Sequence, residues 1–178
     1  MIGESLWVRK AAKGDREAFG RLVKKYRGPL FSFLLRYIGD EEEAADILQD
    51  AFLRAWEKLQ GFRSSSSFKT WLFQIAINLW KNRLRSSGRM VEKEELPDVP
   101  SSSNPLEEVM AAERRTILLR GIEQLPERQR MALTLKAFAD LKYEEIAEVM
   151  GCSVGAAKAH FHHAFYKLKE IMEGIGEL

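Results

Sequence analysis

The stretch LKYEEIAEVMGCSVGAAKAHFHHAFYKLK, residues 141–169, decides the fold of the C-terminal half of the chain. It predicts a short helix in which Ala147 approaches a neighbour closely, and then a turn at Gly151, four residues later. Ser153 is a favourable N-cap for a second helix. An apolar stripe at helical spacing follows, made of Val154, Ala157, Phe161, Ala164 and Leu168. The pattern is that of a helix-turn-helix, although a plain helical hairpin can mimic it.

The opposite face of this second helix carries small and polar side chains. In helix-turn-helix proteins the second helix enters the DNA major groove, where small residues allow close approach and polar residues hydrogen-bond. We therefore predict a set of DNA-contacting residues on this face. They are Ser153, Gly155, Ala156, Lys158, Ala159, His162, His163, Tyr166 and Lys167.

Three histidines in the same helix raise the alternative of a metal site. Helical zinc ligands usually stand at positions i and i+4, whereas His160 and His163 share a side only loosely and no Cys, Asp or Glu joins them locally. The chain also has no glycine-rich phosphate loop and no nucleophile–base signature. We therefore predict no metal, no cofactor, no small-molecule substrate and no enzymatic activity.

Composition and charge bound the class of protein. The chain has 178 residues, a formal net charge of +2 and one cysteine, Cys152. It has no apolar run near the roughly 20 residues that span a membrane and no signal-peptide pattern, so we expect a cytoplasmic protein without membrane insertion or disulfides. Residues 1–86 hold 16 Lys+Arg against 10 Asp+Glu, whereas the rest of the chain holds 12 against 16. The basic half suits a polyanionic partner, or it is an ordinary solvated surface.

Helical spacing dominates both halves of the chain, and a segment rich in proline, serine and acidic residues separates them. We predict an all-α protein with two small helical domains, residues 1–86 and 106–178, joined by a flexible linker at 87–105. Asp15 and Asp40 are predicted N-caps. The predicted helices lie near residues 4–13, 16–38, 41–59, 68–85, 106–124, 126–139, 143–150 and 153–172.

The fourth predicted helix, within SSSSFKTWLFQIAINLWKNRLR at residues 64–85, is apolar around most of its circumference. One arc of roughly 80° is polar. Amides can hydrogen-bond base edges and cations can hold phosphates, so this arc suits contact with DNA. A solvated stripe on an otherwise buried helix is the alternative. The arc contains Thr70, Gln74, Asn78, Lys81 and Arg85.

The third predicted helix has the opposite character. Its side facing away from the predicted apolar stripe is acidic, and acidic residues early in a helix also favour the helix dipole. Leu53 within this acidic side favours a docking face for a basic partner. The acidic side contains Asp46, Gln49, Asp50, Leu53 and Glu57, and the apolar stripe contains Ala45, Leu48, Phe52, Ala55 and Leu59.

Over nearly its full length the chain resembles a bacterial sigma factor of the extracytoplasmic-function (ECF) class, a minimal sigma factor with two helical domains, sigma-two and sigma-four. GDEEEAADILQDAFLRAWEKLQGF (39–62) is similar to the family's core-polymerase-binding segment. SFKTWLFQIAINLWKNRLR (67–85) is similar to its promoter-melting and −10 segment. LPERQRMALTLKAFADLKYEEIAEVMGCSVGAAKAHFHHAFYKLK (125–169) is similar to its −35 domain. All three occur in the family's order and at its separations.

The resemblance implies binding to bacterial core RNA polymerase and promoter-specific initiation of transcription. It implies polymerase binding by Asp46, Gln49, Asp50 and Leu53. It further implies that the fourth helix and the loop before it read the −10 element and hold a base flipped from the duplex. An anti-sigma factor that covers these faces is an implied partner, and the −35 element would be read by the second helix of the helix-turn-helix. The implied −10 residues are Phe62, Arg63, Ser64, Ser65, Ser66, Asn78, Lys81, Asn82 and Arg85.

Two features depart from the family's usual pattern. Many members carry arginines where this chain has His160 and His163, and residues 106–178 hold 10 Lys+Arg against 12 Asp+Glu. Because cations on phosphates supply salt-dependent affinity, we expect weak −35 binding by this domain alone. The loop RSSSSF has no acidic residue, so its base preference stays open.

Two other functions remain as alternatives. One is a stand-alone repressor or activator, which would dimerise on paired half-sites through the same helix-turn-helix. It leaves the acidic third helix and the aromatic fourth helix unexplained. The other is a purely helical interaction module, which leaves the small side chains of the second helix of the helix-turn-helix unexplained.

Overall fold

The computed structural model describes residues 2–62, 66–87 and 105–176, and this part of the chain contains eight α-helices and no strand. The prediction of an all-α fold is therefore confirmed. Helices α1 to α4 are Ile2–Ala11, Arg16–Ile38, Glu41–Lys58 and Phe68–Ser87, and a short 3-10 turn, Leu59–Gly61, follows α3. Helices α5 to α8 are Pro105–Glu123, Glu127–Ala139, Tyr143–Met150 and Val154–Gly176.

The chain forms two compact units, residues 1–93 and 94–178. The first unit contains α1 to α4 and the second contains α5 to α8. Residues 88–104 lie outside the described part of the chain. The bounds of the predicted linker, 87–105, therefore stay a prediction.

Local capping interactions set the starts of α2 and α3. The carboxylate of Asp15 accepts from the N–H of Ala18 at 3.0 Å, and that of Asp40 accepts from the N–H of Glu43 at 2.8 Å. Both carboxylates satisfy N–H groups that have no partner within the helix. Helix α1 lies two residues earlier than predicted, because residues 12–14 form a turn in which Gly14 has φ +92°.

Aromatic and branched side chains from three helices form the core of the first unit. The rings of Phe33 on α2 and Phe73 on α4 lie 5.4 Å apart between centroids, and both side chains are fully buried. Helix α3 packs on both neighbours through a buried stripe. The stripe contains Ala44, Ile47, Leu48, Ala51, Phe52 and Ala55.

The position of Ala45 in the predicted stripe of α3 is wrong, since Ala45 is exposed and Ala44 is buried. The predicted stripe covers only one side of the buried surface of α3. Ile47 and Ala51, on the other side of that surface, are also buried. Because neighbouring alanines carry the same small side chain, the sequence pattern cannot choose between these two positions.

The second unit contains the predicted helix-turn-helix, formed by α7 and α8. Gly151 ends α7 in the left-handed conformation at φ +61°, and the N–H of Cys152 donates to the carbonyl of Ala147 at 3.0 Å. Ser153 Oγ then accepts from the N–H of Ala156 at 3.1 Å, which caps α8. The inner side of α8 packs against α5 and α6 in a cluster of Ile122, Leu125, Leu133, Ala164 and Leu168.

Candidate functional site

The predicted DNA-contacting residues of α8 lie on its side facing away from the core. Eight of the nine are exposed, and Ala156 is half-buried. Tyr166 is 60% exposed, which leaves its ring and hydroxyl accessible to a partner. The hydroxyl of Ser153 already caps the helix, so this residue positions the face as well as belonging to it. The result is a surface of small, imidazole, phenol and ammonium groups on a well-capped helix.

Tyr143, which no sequence pattern identified as a functional residue, lies beside this face. Lys136 Nζ and Lys158 Nζ lie 5.4 Å and 5.6 Å from the centroid of the Tyr143 ring, within the range of cation–π attraction. Lys136 Nζ also donates to the carbonyl of Leu141 at 3.1 Å. Two cations therefore gather at one edge of α8, in a domain whose charge is negative overall. The two lysines are far apart in the sequence, so no sequence pattern indicates that both contact Tyr143.

The predicted docking residues share one exposed side of α3. Asp46, Gln49 and Asp50 are exposed, and Leu53 is 56% exposed although the other half of the helix is buried. Phe52 lies on the buried side, against Phe19. The structure thus brings together the four residues assigned to polymerase docking.

An arginine from α4 also occupies this side of α3. Arg83 Nη1 donates to Glu43 Oε2 at 2.6 Å and to Asp46 Oδ2 at 3.3 Å, and Arg83 Nη2 donates to Asp50 Oδ2 at 3.4 Å. The strong hydrogen bond to the Glu43 carboxylate raises the pKa of the Arg83 guanidinium above its ordinary value. No sequence pattern indicates this contact, because Glu43 lies 40 residues before Arg83 in the chain.

The predicted polar arc of α4 is only partly exposed. Asn78 and Arg85 are exposed, whereas Gln74 and Lys81 are half-buried. Asn82, an implied −10 residue outside this arc, is also exposed. The inclusion of Thr70 in this arc is wrong, because its side chain is fully buried. Its hydroxyl lies 2.8 Å from Ser67 Oγ, which also accepts from the Thr70 N–H at 3.0 Å. These bonds satisfy the buried polar group and cap the start of α4.

The loop before α4 is anchored by an aromatic contact. The ring of Phe62 lies 4.7 Å from that of Trp71 and 6.3 Å from that of Phe68, between centroids. Phe62 and Ser66 are half-buried. The other three predicted residues of this loop, Arg63, Ser64 and Ser65, lie outside the described residues.

The described part of the chain has neither a metal-binding cluster nor a membrane-spanning helix. Within residues 2–62, 66–87 and 105–176, no three His, Cys, Asp or Glu side chains are grouped so that they could hold a metal ion. In the same part of the chain, every helix is too short or too polar to cross a membrane.

Comparison with known proteins decides the family. The profile of Sigma-70 region 2 matches residues 22–90, and that of Sigma-70, region 4 matches residues 115–168. The ECF RNA polymerase sigma-E factor of Escherichia coli strain K12 is 36% identical over 174 residues, which cover 92% of this chain and 91% of the relative. The chain belongs to the ECF sigma factors.

A second relative agrees with this assignment. The RNA polymerase sigma-H factor of Pseudomonas aeruginosa is 36% identical over 168 residues, covering 88% of this sigma factor and 87% of the relative. As an ECF sigma factor the protein directs initiation of transcription, and a stand-alone repressor or activator is not favoured.

Two solved structures share the fold. CnrH, in complex with the cytosolic domain of CnrY, has a TM-score of 0.75 at 23% identity and covers 97% of this sigma factor and 98% of CnrH. The sigma factor RpoE of Bartonella quintana, in complex with the anti-sigma factor NepR, has a TM-score of 0.73 at 24% identity. That alignment covers 87% of this chain and 96% of RpoE.

Proposed function

We propose that this sigma factor docks on bacterial core RNA polymerase through the exposed side of α3. The observation that carries the proposal is the common exposure of Asp46, Gln49, Asp50 and Leu53 on a helix whose other side is buried. Two carboxylates and an amide beside an accessible leucine suit a basic partner surface that also makes an apolar contact.

Promoter DNA binds to two further surfaces in this proposal. Asn78, Lys81, Asn82 and Arg85 of α4, with the loop at residues 62–66, contact the −10 element and an unpaired base. The outward side of α8 enters the major groove at the −35 element. These roles divide between sigma region two at residues 1–86 and sigma region four at 106–178, joined by the linker at 87–105.

The protein works by binding, without catalysis of its own, and it works in the cytoplasm, where RNA polymerase acts. Its membership of a family of DNA-binding regulators supports both statements.

An anti-sigma factor is a further partner in this proposal. The complex of the sigma factor RpoE with the anti-sigma factor NepR supports it, since RpoE shares the fold.

Run-off transcription with purified bacterial core polymerase and a pool of genomic promoters tests the docking face. The test variant is Asp50→Arg, and the matched control is Glu17→Arg, which makes the same charge change at an exposed carboxylate of α2. Binding to core polymerase is measured in parallel by gel filtration.

We expect discrete transcripts with the unmodified protein and with Glu17→Arg. We expect Asp50→Arg to lose both transcripts and core association, because it places a cation against a basic partner. Transcripts that survive in Asp50→Arg at the level of the control would place the docking face elsewhere on the molecule.

A further inference from the structure

Arg83 holds the three carboxylates of α3 unequally. Its contact with Glu43 is short, at 2.6 Å, and these side chains are only 33% and 30% exposed. Its contacts with Asp46 and Asp50, at 3.3 Å and 3.4 Å, are long for an N–H···O bond, and those carboxylates are 62% and 49% exposed. Glu43 therefore anchors the guanidinium, whereas Asp46 and Asp50 can exchange it for another cation at small cost.

The three carboxylates form one ridge along α3. Positions 43, 46 and 50 are three and four residues apart, so their side chains lie above one another on the same face of the helix. A guanidinium stays protonated at any pH at which the protein is folded. Arg83 thus keeps a permanent positive charge against two residues of the docking face, and a Lys or Arg of a partner must compete with it for the same oxygens.

We infer that Arg83 is an internal counter-ion that limits how tightly core polymerase docks on Asp46 and Asp50. The inference rests on the docking face proposed above. Its effect is a modest gain in selectivity, because a partner must replace Arg83 at both aspartates, so a weakly basic surface binds several-fold less tightly than a strongly basic one. A purely structural role for Arg83 predicts the opposite sign, since loss of a structural contact would disorder the face and weaken docking.

The test replaces Arg83 by a neutral residue that keeps a planar hydrogen-bond donor, Arg83→Gln. The matched control is Arg21→Gln, an exposed arginine paired with Glu17 on α2, whose loss changes the net charge equally. Labelled full-length protein is titrated with core polymerase at several KCl concentrations, and binding is followed by fluorescence anisotropy. Circular dichroism melting checks that each variant is folded.

We expect Arg83→Gln to bind core polymerase about 2–5-fold more tightly at low salt, with a steeper loss of affinity as salt increases. Arg21→Gln should bind like the unmodified protein. In an Asp46→Asn/Asp50→Asn background, Arg83→Gln should no longer change the affinity, because the carboxylates for which the cations compete are gone.

If Arg83→Gln does not fold, Arg83→Lys replaces it. The lysine cannot bridge both aspartates, so a smaller gain in affinity is expected.

Unchanged or weaker docking by a folded Arg83 variant would overturn the inference while leaving the docking face in place. A separate failure is visible in the same data. If Asp46→Asn/Asp50→Asn binds as tightly as the unmodified protein, the docking face itself is wrong, and the role of Arg83 falls with it.

Discussion

The substitution Gly155→Ala, at the start of α8, should affect the stability of the helix and its contact with DNA in different ways. Gly155 follows the capping residue Ser153 by two positions and lies in a helix, with a backbone conformation that alanine adopts without strain. An added Cβ would meet Ser153 Oγ at 3.9 Å, an ordinary van der Waals distance, and no other atom within 4 Å. The substitution therefore has no steric cost inside the protein.

The expected effects on stability and on transcription have opposite signs. Alanine is favoured over glycine within a helix by about 0.5–1 kcal/mol, and the first turn should give the lower end of this range. For a unit of this size, about 0.5 kcal/mol raises the melting temperature by about 2–4 °C. On the outward side, the methyl group blocks close approach of DNA. The loss of one base contact costs about 1–3 kcal/mol of binding free energy. We therefore expect the amount of transcript to fall by about tenfold or more.

Calorimetric melting of the full chain and run-off transcription measure the two effects. Gly20→Ala is the control, because Gly20 lies exposed in α2 with no atom within 4 Å of an added Cβ. It should stabilise the protein without changing transcription. A lower melting temperature of Gly155→Ala would refute the helix argument, and a stabilised variant with normal transcription would refute the placement of Gly155 against DNA.

Three further predictions concern stability. Gly151→Ala should destabilise the second unit by about 1 kcal/mol in urea unfolding, because φ is +61° at this position. Phe73→Ala should cost the first unit about 3–5 kcal/mol in the same assay, since the ring is fully buried, and a loss below 1 kcal/mol would contradict this packing. Burial raises the pKa of Glu4, but hydrogen bonds from Lys25 and Tyr26 outweigh it and hold this pKa below its ordinary value. Glu4→Gln should therefore be less stable than the unmodified protein at neutral pH. In thermal melts at decreasing pH, the difference in melting temperature should vanish once the pH falls below the ordinary pKa range of glutamate. A difference that stays constant with pH would refute this linkage.

The features that could be predicted from the sequence depend on neighbours in the chain. Asp15, Asp40 and Ser153 cap their helices because each side chain reaches an N–H three residues later, which a pattern of residue types reveals. The sequence predicts the turn at Gly151 for the same reason. The exposed side of α3 was predicted from helical periodicity, since the acidic residues and the apolar residues fall on opposite arcs.

The features that could not be predicted depend on contacts between helices. Arg83 meets Glu43 only because α4 packs on α3, and nothing near position 83 indicates which carboxylate it will contact. The residue type of Thr70 predicts a position in the exposed polar arc, whereas in the structure Ser67 satisfies its hydroxyl and allows its burial. Polarity alone therefore misplaces a side chain whenever a neighbouring group supplies its hydrogen bonds.

The packing of Phe62 on Trp71 gives the protein its own optical reporter. The indole is half-buried and its ring centroid lies 4.7 Å from that of Phe62, at the entrance to the loop proposed to hold an unpaired base. Any displacement of Phe62 changes the polarity around this fluorophore. With the chain's other three tryptophans replaced by phenylalanine, the emission of Trp71 would report a movement of Phe62 in the free protein, without an attached dye.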